Sequence, residues 1–155
     1  MDIGSGRGYP ASALSNFPPR PFVFDNVECA SMEGLLQSFK FDKPHIQKEV
    51  CKLVGKAAKF RGKKRNKAWK TKQTLWWNGV AFDRHGPAYQ ALLDDAYDAL
   101  ATNTKFQKAL LASDKAVLTH SIGSNNASET CLTTKEFVSR LTRIRSELQK
   151  EQNTK

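Results

Sequence analysis

The chain has 155 residues, 39% of them hydrophobic and 26% charged, with a net charge of +10. That is enough for one packed domain, too few for two ordinary ones, and too apolar for a disordered chain. No apolar run approaches the ~20 residues of a membrane span, and no signal-peptide pattern follows Met1. Three cysteines (Cys29, Cys51, Cys131) without a C-x-x-C pair argue against a disulfide framework or a zinc knuckle, and a reducing cytoplasm with no membrane partner fits them best.

In chain order, residues 1–21 are rich in Gly, Ser and Pro and read as an extended, turn-laden arm of one domain spanning residues 1–155. Phe22, Phe24, Val27 and Cys29 around Asp25-Asn26 predict a short hairpin. Ser31 suits a helix N-cap, and Met32, Leu35, Leu36 and Phe39 follow at amphipathic helix spacing. Pro44 opens a second helix carrying Ile46, Val50, Leu53 and Val54, with Gly55 and Gly62 as breaks beyond it. Trp69, Leu75, Trp76 and Trp77 form an aromatic cluster for the core or a cleft wall, and Asn78-Gly79 is a turn signal. Pro87 starts a helix through Leu100, and Lys105 to Ala112 predicts another. Ala116 to Ile122 alternates like a strand. Thr133 with Glu136 is a capping box that opens a final helix through Leu148. The sum is an α+β domain, mainly helical, with a short hairpin and a small sheet.

The charge is concentrated. Residues 43–72 hold twelve Lys or Arg and one acid, Glu49, a balance of +11, so the rest of the chain sums to −1. Such a segment attracts polyanions or phosphate-bearing ligands, and its part from Lys56 to Lys72 is a candidate nucleic-acid track. A solvated, solubilising helix face is the plain alternative.

Within the helix from Ser31, Glu33, Gln37 and Lys40 recur at offsets 0, 4 and 7. At ~100° per residue they share one stripe, roughly a third of a turn from the apolar face, which suits the wall of a cleft beside the core. Glu33 falls in the first turn, where the helix dipole favours the ionised carboxylate. A carboxylate there can stabilise a sugar cation or activate water, the two needs of glycosidic cleavage. Lys40 can bind phosphate or, desolvated, act as an amine nucleophile on a sugar carbonyl. Early Glu and late Lys are also ordinary dipole-complementing residues.

The order of these features resembles the NADAR (YbiA-like) superfamily. The blocks are Ser15-Asn16-Phe17, Pro21-Phe22, and Ser31-Met32-Glu33 with Gln37-Ser38-Phe39-Lys40-Phe41, followed by Ala57-Ala58-Lys59, Gly62, Arg65 and Trp69. Leu110 to Ser113, Leu118 to Ile122 and Phe137 to Arg145 resemble its later blocks, so the likeness spans nearly the whole chain. Ser31 stands one place early relative to many members. The resemblance implies an N-glycosidase that splits a ribosyl–nitrogen bond in a phosphate-bearing nucleotide or an ADP-ribosylated base. It assigns catalytic roles to Glu33 and Lys40, the lysine through a Schiff base, and puts Asn16, with Phe17 beside it, near the ribose or phosphates. Gln37 would position substrate. The chain departs from the family at residues 123–130, which lack the Trp-Gly-Asp motif of many members. Asn125, Asn126 and Glu129 are the candidates to replace its hydrogen bonds.

Other residues carry weaker signals. Ser5 and Arg7, within Gly4 to Gly8, could meet a phosphate, although a flexible tail explains the glycines equally well and no Walker or Rossmann spacing is present. Trp69 or Trp77 could stack on a base, whereas tryptophans are more often core. His45, His85 and His120 are too scattered for a metal site, and no cofactor is expected. His120 reads as a packed or capped histidine. A non-catalytic nucleic-acid, ADP-ribose or nucleotide-binding module is the rival reading.

Overall fold

Ser31 begins the element around which the rest is arranged. Its extended backbone and its hydroxyl, which accepts from Gly34 N, start helix α1 (Met32–Ser38), which buries Met32, Leu35 and Leu36. The computed structural model describes residues 1–154. Ahead of α1 stands the hairpin of β1 (Phe22–Phe24) and β2 (Val27–Cys29), with Asp25 and Asn26 both left-handed at its turn (φ 46° and 63°). This is the two-residue geometry that matches strand twist, in residues that tolerate positive φ.

Helix α2 (Pro44–Cys51) packs across α1, and Gly34 sits at their junction, where a Cβ would stand 2.6 Å from Leu53 O. The second helix ends earlier than its apolar spacing predicts. Leu53 and Val54 lie beyond it, because the chain must turn before α3 (Gly55–Lys63), where Gly55 has φ +53°. Helix α4 (Asn66–Lys72) leads into a second hairpin, β3 (Thr74–Trp77) with β4 (Val80–Asp83), closed by Asn78-Gly79. Gln47 ties these parts together: its amide nitrogen lies 2.8–3.1 Å from the carbonyls of Ser38, Phe41 and Trp76, and its carbonyl accepts from Asn78 N at 3.0 Å. Trp76 N also donates to Phe39 O at 2.8 Å, which fixes the end of α1 and the residue after it.

Helix α5 (Pro87–Leu100) runs through the core and buries Tyr89, Leu93, Ala96 and Tyr97 completely. Helix α6 (Thr104–Ala112) is capped by Asn103, and α7 (Thr134–Asn153) carries both reciprocal bonds of the Thr133–Glu136 capping box. The architecture is therefore α+β, with seven helices and two small antiparallel hairpins among the described residues of one domain. Among the described residues no helix is long and apolar enough to cross a membrane.

Two sequence expectations need correction. Residues 116–122 form no regular strand: Met1 to Ile3 run beside Val117 to Thr119, but their backbone bonds amount to a single parallel bridge, Asp2 with Thr119, because Ser121 N turns to the Asp2 carboxylate instead of a backbone carbonyl. Nor do residues 1–21 project as an extended or flexible arm. Ile3 and Leu14 are buried in the main core, Ile3 N donates to Thr119 O, and a 3-10 turn forms at Ser12–Leu14. The apolar residues scattered among the glycines decide this, since burying them outweighs the entropy of ordering the segment.

Candidate functional site

Beside α1 lies a cleft of about 700 Å³. Its floor and walls include Asn16, Phe17, Glu33, Gln37, Lys40, Asn66, Trp69, His120 and Cys131, and exposed Phe60 and Ile122 stand among its lining residues. Glu33, Gln37 and Lys40 open into one cavity, although α1 ends at Ser38 and Lys40 reaches it from the turn beyond and not from the helix its spacing predicts. Asn16, Phe17, Ser5 and Trp69 reach the same cavity. Arg7 does not: its guanidinium is held at 2.8 Å by Asp2 and stays half-exposed at the surface.

Glu33 is tied down at both ends. Its amide donates to Asn16 O at 3.0 Å, and Gln37 Nε2 donates to Glu33 Oε1 at 3.3 Å. Asn16 is itself anchored, because Tyr97, fully buried in α5, donates its hydroxyl to Asn16 Oδ1 at 3.0 Å. Burial raises the Glu33 carboxyl above its ordinary pKa, and the opposing pulls of Gln37, Lys40 and Lys59 do not cancel it. The dipole argument from sequence therefore has the wrong sign for this residue. Desolvation in the cleft outweighs a half-charge at the end of a seven-residue helix.

Lys40 follows the C-terminus of α1 and is only 7% exposed. Its ammonium donates to Asn66 Oδ1 at 2.7 Å, and among the described residues no carboxylate stands at ion-pair distance from it. The same Asn66 oxygen accepts Trp69 Nε1–H at 3.3 Å. Trp69 is thus a buried wall that aims Asn66, and Asn66 aims the amine. Lys40 is therefore a buried amine held by a neutral amide oxygen. Arg65 Nε donates to Lys40 O at 3.1 Å and fixes the backbone beneath.

Gln37 lies between acid and amine. Its Oε1 is buried without a hydrogen-bond partner, and it faces Gly62 of α3, where a Cβ would fall 1.8 Å from that oxygen. Gly62 is therefore needed for space, not for backbone freedom. Lys59 and Lys63, on the same helix, bring positive charge to the cleft. Other cations of the basic segment have partners: Arg61 meets Glu49 at 3.4 Å and Lys70 meets Glu129 at 3.2 Å.

The segment standing where Trp-Gly-Asp is absent closes one side of the cleft with Gly123, Ser124, Glu129 and Thr130. Of the three proposed replacements, only Glu129 reaches the cavity. Asn125 Oδ1 accepts from Lys135 N and Asn126 Oδ1 from Ser128 N, so both amides serve the backbone of their own loop and the start of α7. His120 packs edge-on against Phe137, and its Nδ1 lies 2.8 Å from Ile3 O, so it is a held histidine on the cleft wall. Trp77 is core, bonded to Asp25 at 2.9 Å. Asn66 and Tyr97 carry no signal in the sequence, because each finds its partner only through folding, 26 and 81 residues away.

A mainly helical domain whose first helix and the turn after it line a cleft with an acid, an amide and an amine is of the YbiA type in fold. The structure of E. coli YbiA superposes with a TM-score of 0.61, covering 97% of this chain and 84% of that one at 15% identity, a likeness of fold. The chain belongs to the bacteriophage protein GP30.3 family, whose profile matches residues 8–146. It is 38% identical over 150 residues to a 17.1 kDa protein of Enterobacteria phage T4 from the Gp30-rIII intergenic region, covering 96% of this chain and 98% of that one.

Proposed function

We propose that this cleft is the active centre of a divergent NADAR-type N-glycosidase, cleaving the bond between a ribosyl C1′ and a base nitrogen in a phosphate-bearing nucleotide or an ADP-ribosylated base. One observation carries the reading: Glu33 in the first turn of α1, with a pKa raised by burial, and Lys40 two residues past the end of that helix, a buried amine without an acidic partner, open into one cavity. A carboxyl whose pKa is raised is better fitted to general acid work than an ordinary one.

In this mechanism protonated Glu33 gives its proton to the departing nitrogen, and the electron pair of the C1′–N bond leaves with the base. The Lys40 amine, its proton passed to solvent, attacks the cationic C1′. Opening of C1′–O4′, with a proton taken up by O4′, leaves an imine between Nζ and C1′. Ionised Glu33 then removes a proton from water, the resulting hydroxide adds to C1′, and the amine is expelled as the sugar recloses. Asn66 and Gln37 hold the two ends of this machinery, and Asn16 holds Glu33. Lys59 and Lys63 attract the phosphates, while the exposed lysines from Lys56 to Lys72 offer a track should the substrate be part of a nucleic acid.

The rival, a nucleotide- or nucleic-acid-binding module without turnover, is favoured by the pairing of Glu129 with Lys70, which occupies the one loop carboxylate that reaches the cleft. Base release from ribosylated pyrimidine phosphates and from ADP-ribosylated nucleotides and DNA separates the two. The glycosidase reading expects release by the native chain and its loss in Glu33→Gln with ligand binding retained. Binding without release by the native chain would decide for the module.

A further inference from the structure

The glycosidic reaction needs a base besides Glu33. The Lys40 ammonium must lose a proton before its nitrogen pair can attack C1′, and the amine must regain one when it is expelled. Besides Glu33 and Lys40, the titratable side chains lining the cleft are Lys59, Lys63, His120, Glu129 and Cys131. Lysine is ordinarily a cation at neutral pH, so the first two offer no base. Glu129 is exposed and paired with Lys70 at 3.2 Å, and an exposed carboxylate is too weak a base to strip an ammonium. Burial pushes the Cys131 thiol up, so it keeps its proton. Histidine alone among them is of a type that takes and gives protons near neutrality.

The His120 ring is fixed in place and in tautomer. Its Nδ1 lies 2.8 Å from Ile3 O, and since a carbonyl only accepts, Nδ1 carries the proton. The ring packs edge-on against Phe137, with centroids 5.1 Å apart and planes at 76°. The lone pair is therefore on Nε2, which among the described residues has no hydrogen-bond partner and, in a half-buried residue of the cleft wall, is not sealed from solvent. Gly123 keeps that side open: a Cβ there would stand 2.6 Å from His120 Cδ2, the atom next to Nε2. The ring can thus gain and lose a proton at Nε2 without giving up its bond to Ile3.

We propose that His120 is a catalytic base of this cleft: Nε2 takes the proton from the Lys40 ammonium before attack, instead of solvent, and returns it to the amine as the sugar is released. In the first step an Nζ–H bond breaks and an Nε2–H bond forms, which frees the nitrogen pair for C1′. The proton that O4′ takes up on ring opening comes from the nitrogen itself, so the imidazolium persists through the protonated imine. When the amine is expelled the Nε2–H bond breaks, Nζ is an ammonium again and His120 ends neutral. Water in the cleft carries the proton between the two side chains. The inference rests on the reading of the cleft as a glycosidase with Lys40 as nucleophile, and it divides the work: Glu33 serves the leaving base, His120 the amine.

Two variants of the full chain test it by two readouts. His120→Asn keeps an amide N–H for Ile3 O and removes the base, so it folds even where His120→Ala does not; His120→Ala leaves a hole that free imidazole can fill. The first readout is base release from ADP-ribosylated and ribosyl-phosphate substrates. The second needs no glycosidic bond: glycolaldehyde with cyanoborohydride, followed by the mass of the peptide containing Lys40. The expected result for His120→Asn is a loss of about 10²-fold in release and about tenfold in the rate of Lys40 labelling. Millimolar imidazole should restore both in His120→Ala and neither in Lys40→Arg, a response that a merely structural histidine would not give. Both rates within about twofold of native in His120→Asn, or a folded but slowed His120→Ala that ignores imidazole, overturns the proposal. Lys40 labelling that depends on His120, beside a native chain that releases no base, keeps His120 and overturns the glycosidase reading. Base release by the native chain, with release and labelling both indifferent to His120, does the reverse.

Discussion

Two carboxylates in this protein occupy matching places and lead opposite lives. Glu33 sits in the first turn of α1 behind Ser31, and Glu136 in the first turn of α7 behind Thr133. Burial pushes both towards the neutral acid. At Glu136 it is overcome, because Arg84 pairs with both carboxylate oxygens at 2.8 and 3.1 Å, Thr133 N donates to it and Gln90 adds a further bond, so its pKa lies below the ordinary value. At Glu33 one amide and two more distant lysines do not suffice, and the pKa rises. A helix N-terminus therefore does not settle the charge of its glutamate; the number of donors aimed at the oxygens does. One site is satisfied and holds the fold together. The other has fewer donors than its burial demands, which suits the role proposed for it.

The largest effect expected is on turnover. Glu33→Gln should lower base release by about 10²–10⁴-fold, the range of general acid–base catalysis, while a thermal melt shows the protein still folded. Next comes Arg84→Met. The guanidinium is 1% exposed, packs on Tyr89 and bridges Glu136 to Thr130 O, so its removal strands a carboxylate and should cost about 3–5 kcal/mol in urea unfolding with little direct effect on ligand affinity.

The pH dependence of stability sharpens the contrast. Glu136, with its folded pKa depressed, contributes stability above its ordinary value of 4.5 and loses it as pH falls through the lower folded value. Glu33, with its folded pKa raised, does the opposite: its contribution is complete below 4.5 and is lost as pH rises through the folded value. Melting temperatures of Glu33→Gln should therefore match the native chain near pH 4 and exceed it at pH 8, whereas those of Glu136→Gln should fall below it at pH 8. A Glu33→Gln melt no higher at pH 8 would mean that Glu33 is not desolvated. The smallest effect belongs to Gly62→Ala. It gains about 0.5–1 kcal/mol of helix propensity but displaces Gln37 Oε1, so stability should change little while turnover falls.

What the sequence discloses divides along the same line. Local signals survive folding intact: the Ser31 cap, the Thr133–Glu136 box, the left-handed Asp25-Asn26 turn and Pro87 at a helix start all do locally what their chemistry dictates. Of the Glu33–Gln37–Lys40 stripe only the first two belong to this class, since α1 ends at Ser38 and Lys40 lies in the turn that follows. Long-range partners leave no local trace. Arg84 looks like a surface residue until Glu136 arrives from 52 positions away, and Lys40 acquires Asn66 only when α4 folds back. The same limit explains the strand expected at residues 116–122, whose alternation was real but whose neighbour, residues 1–3, gives it a single bridge and no ladder.

The central claim is that Lys40 attacks the sugar while Glu33 serves the leaving base. It is tested most directly by adding borohydride during turnover of an ADP-ribosylated or ribosyl-phosphate substrate and measuring intact and peptide mass. Reduction of the imine should leave the sugar fixed to the peptide containing Lys40, and Lys40→Arg should show no adduct. Rapid base release with no adduct, or with an adduct on another lysine, would contradict it.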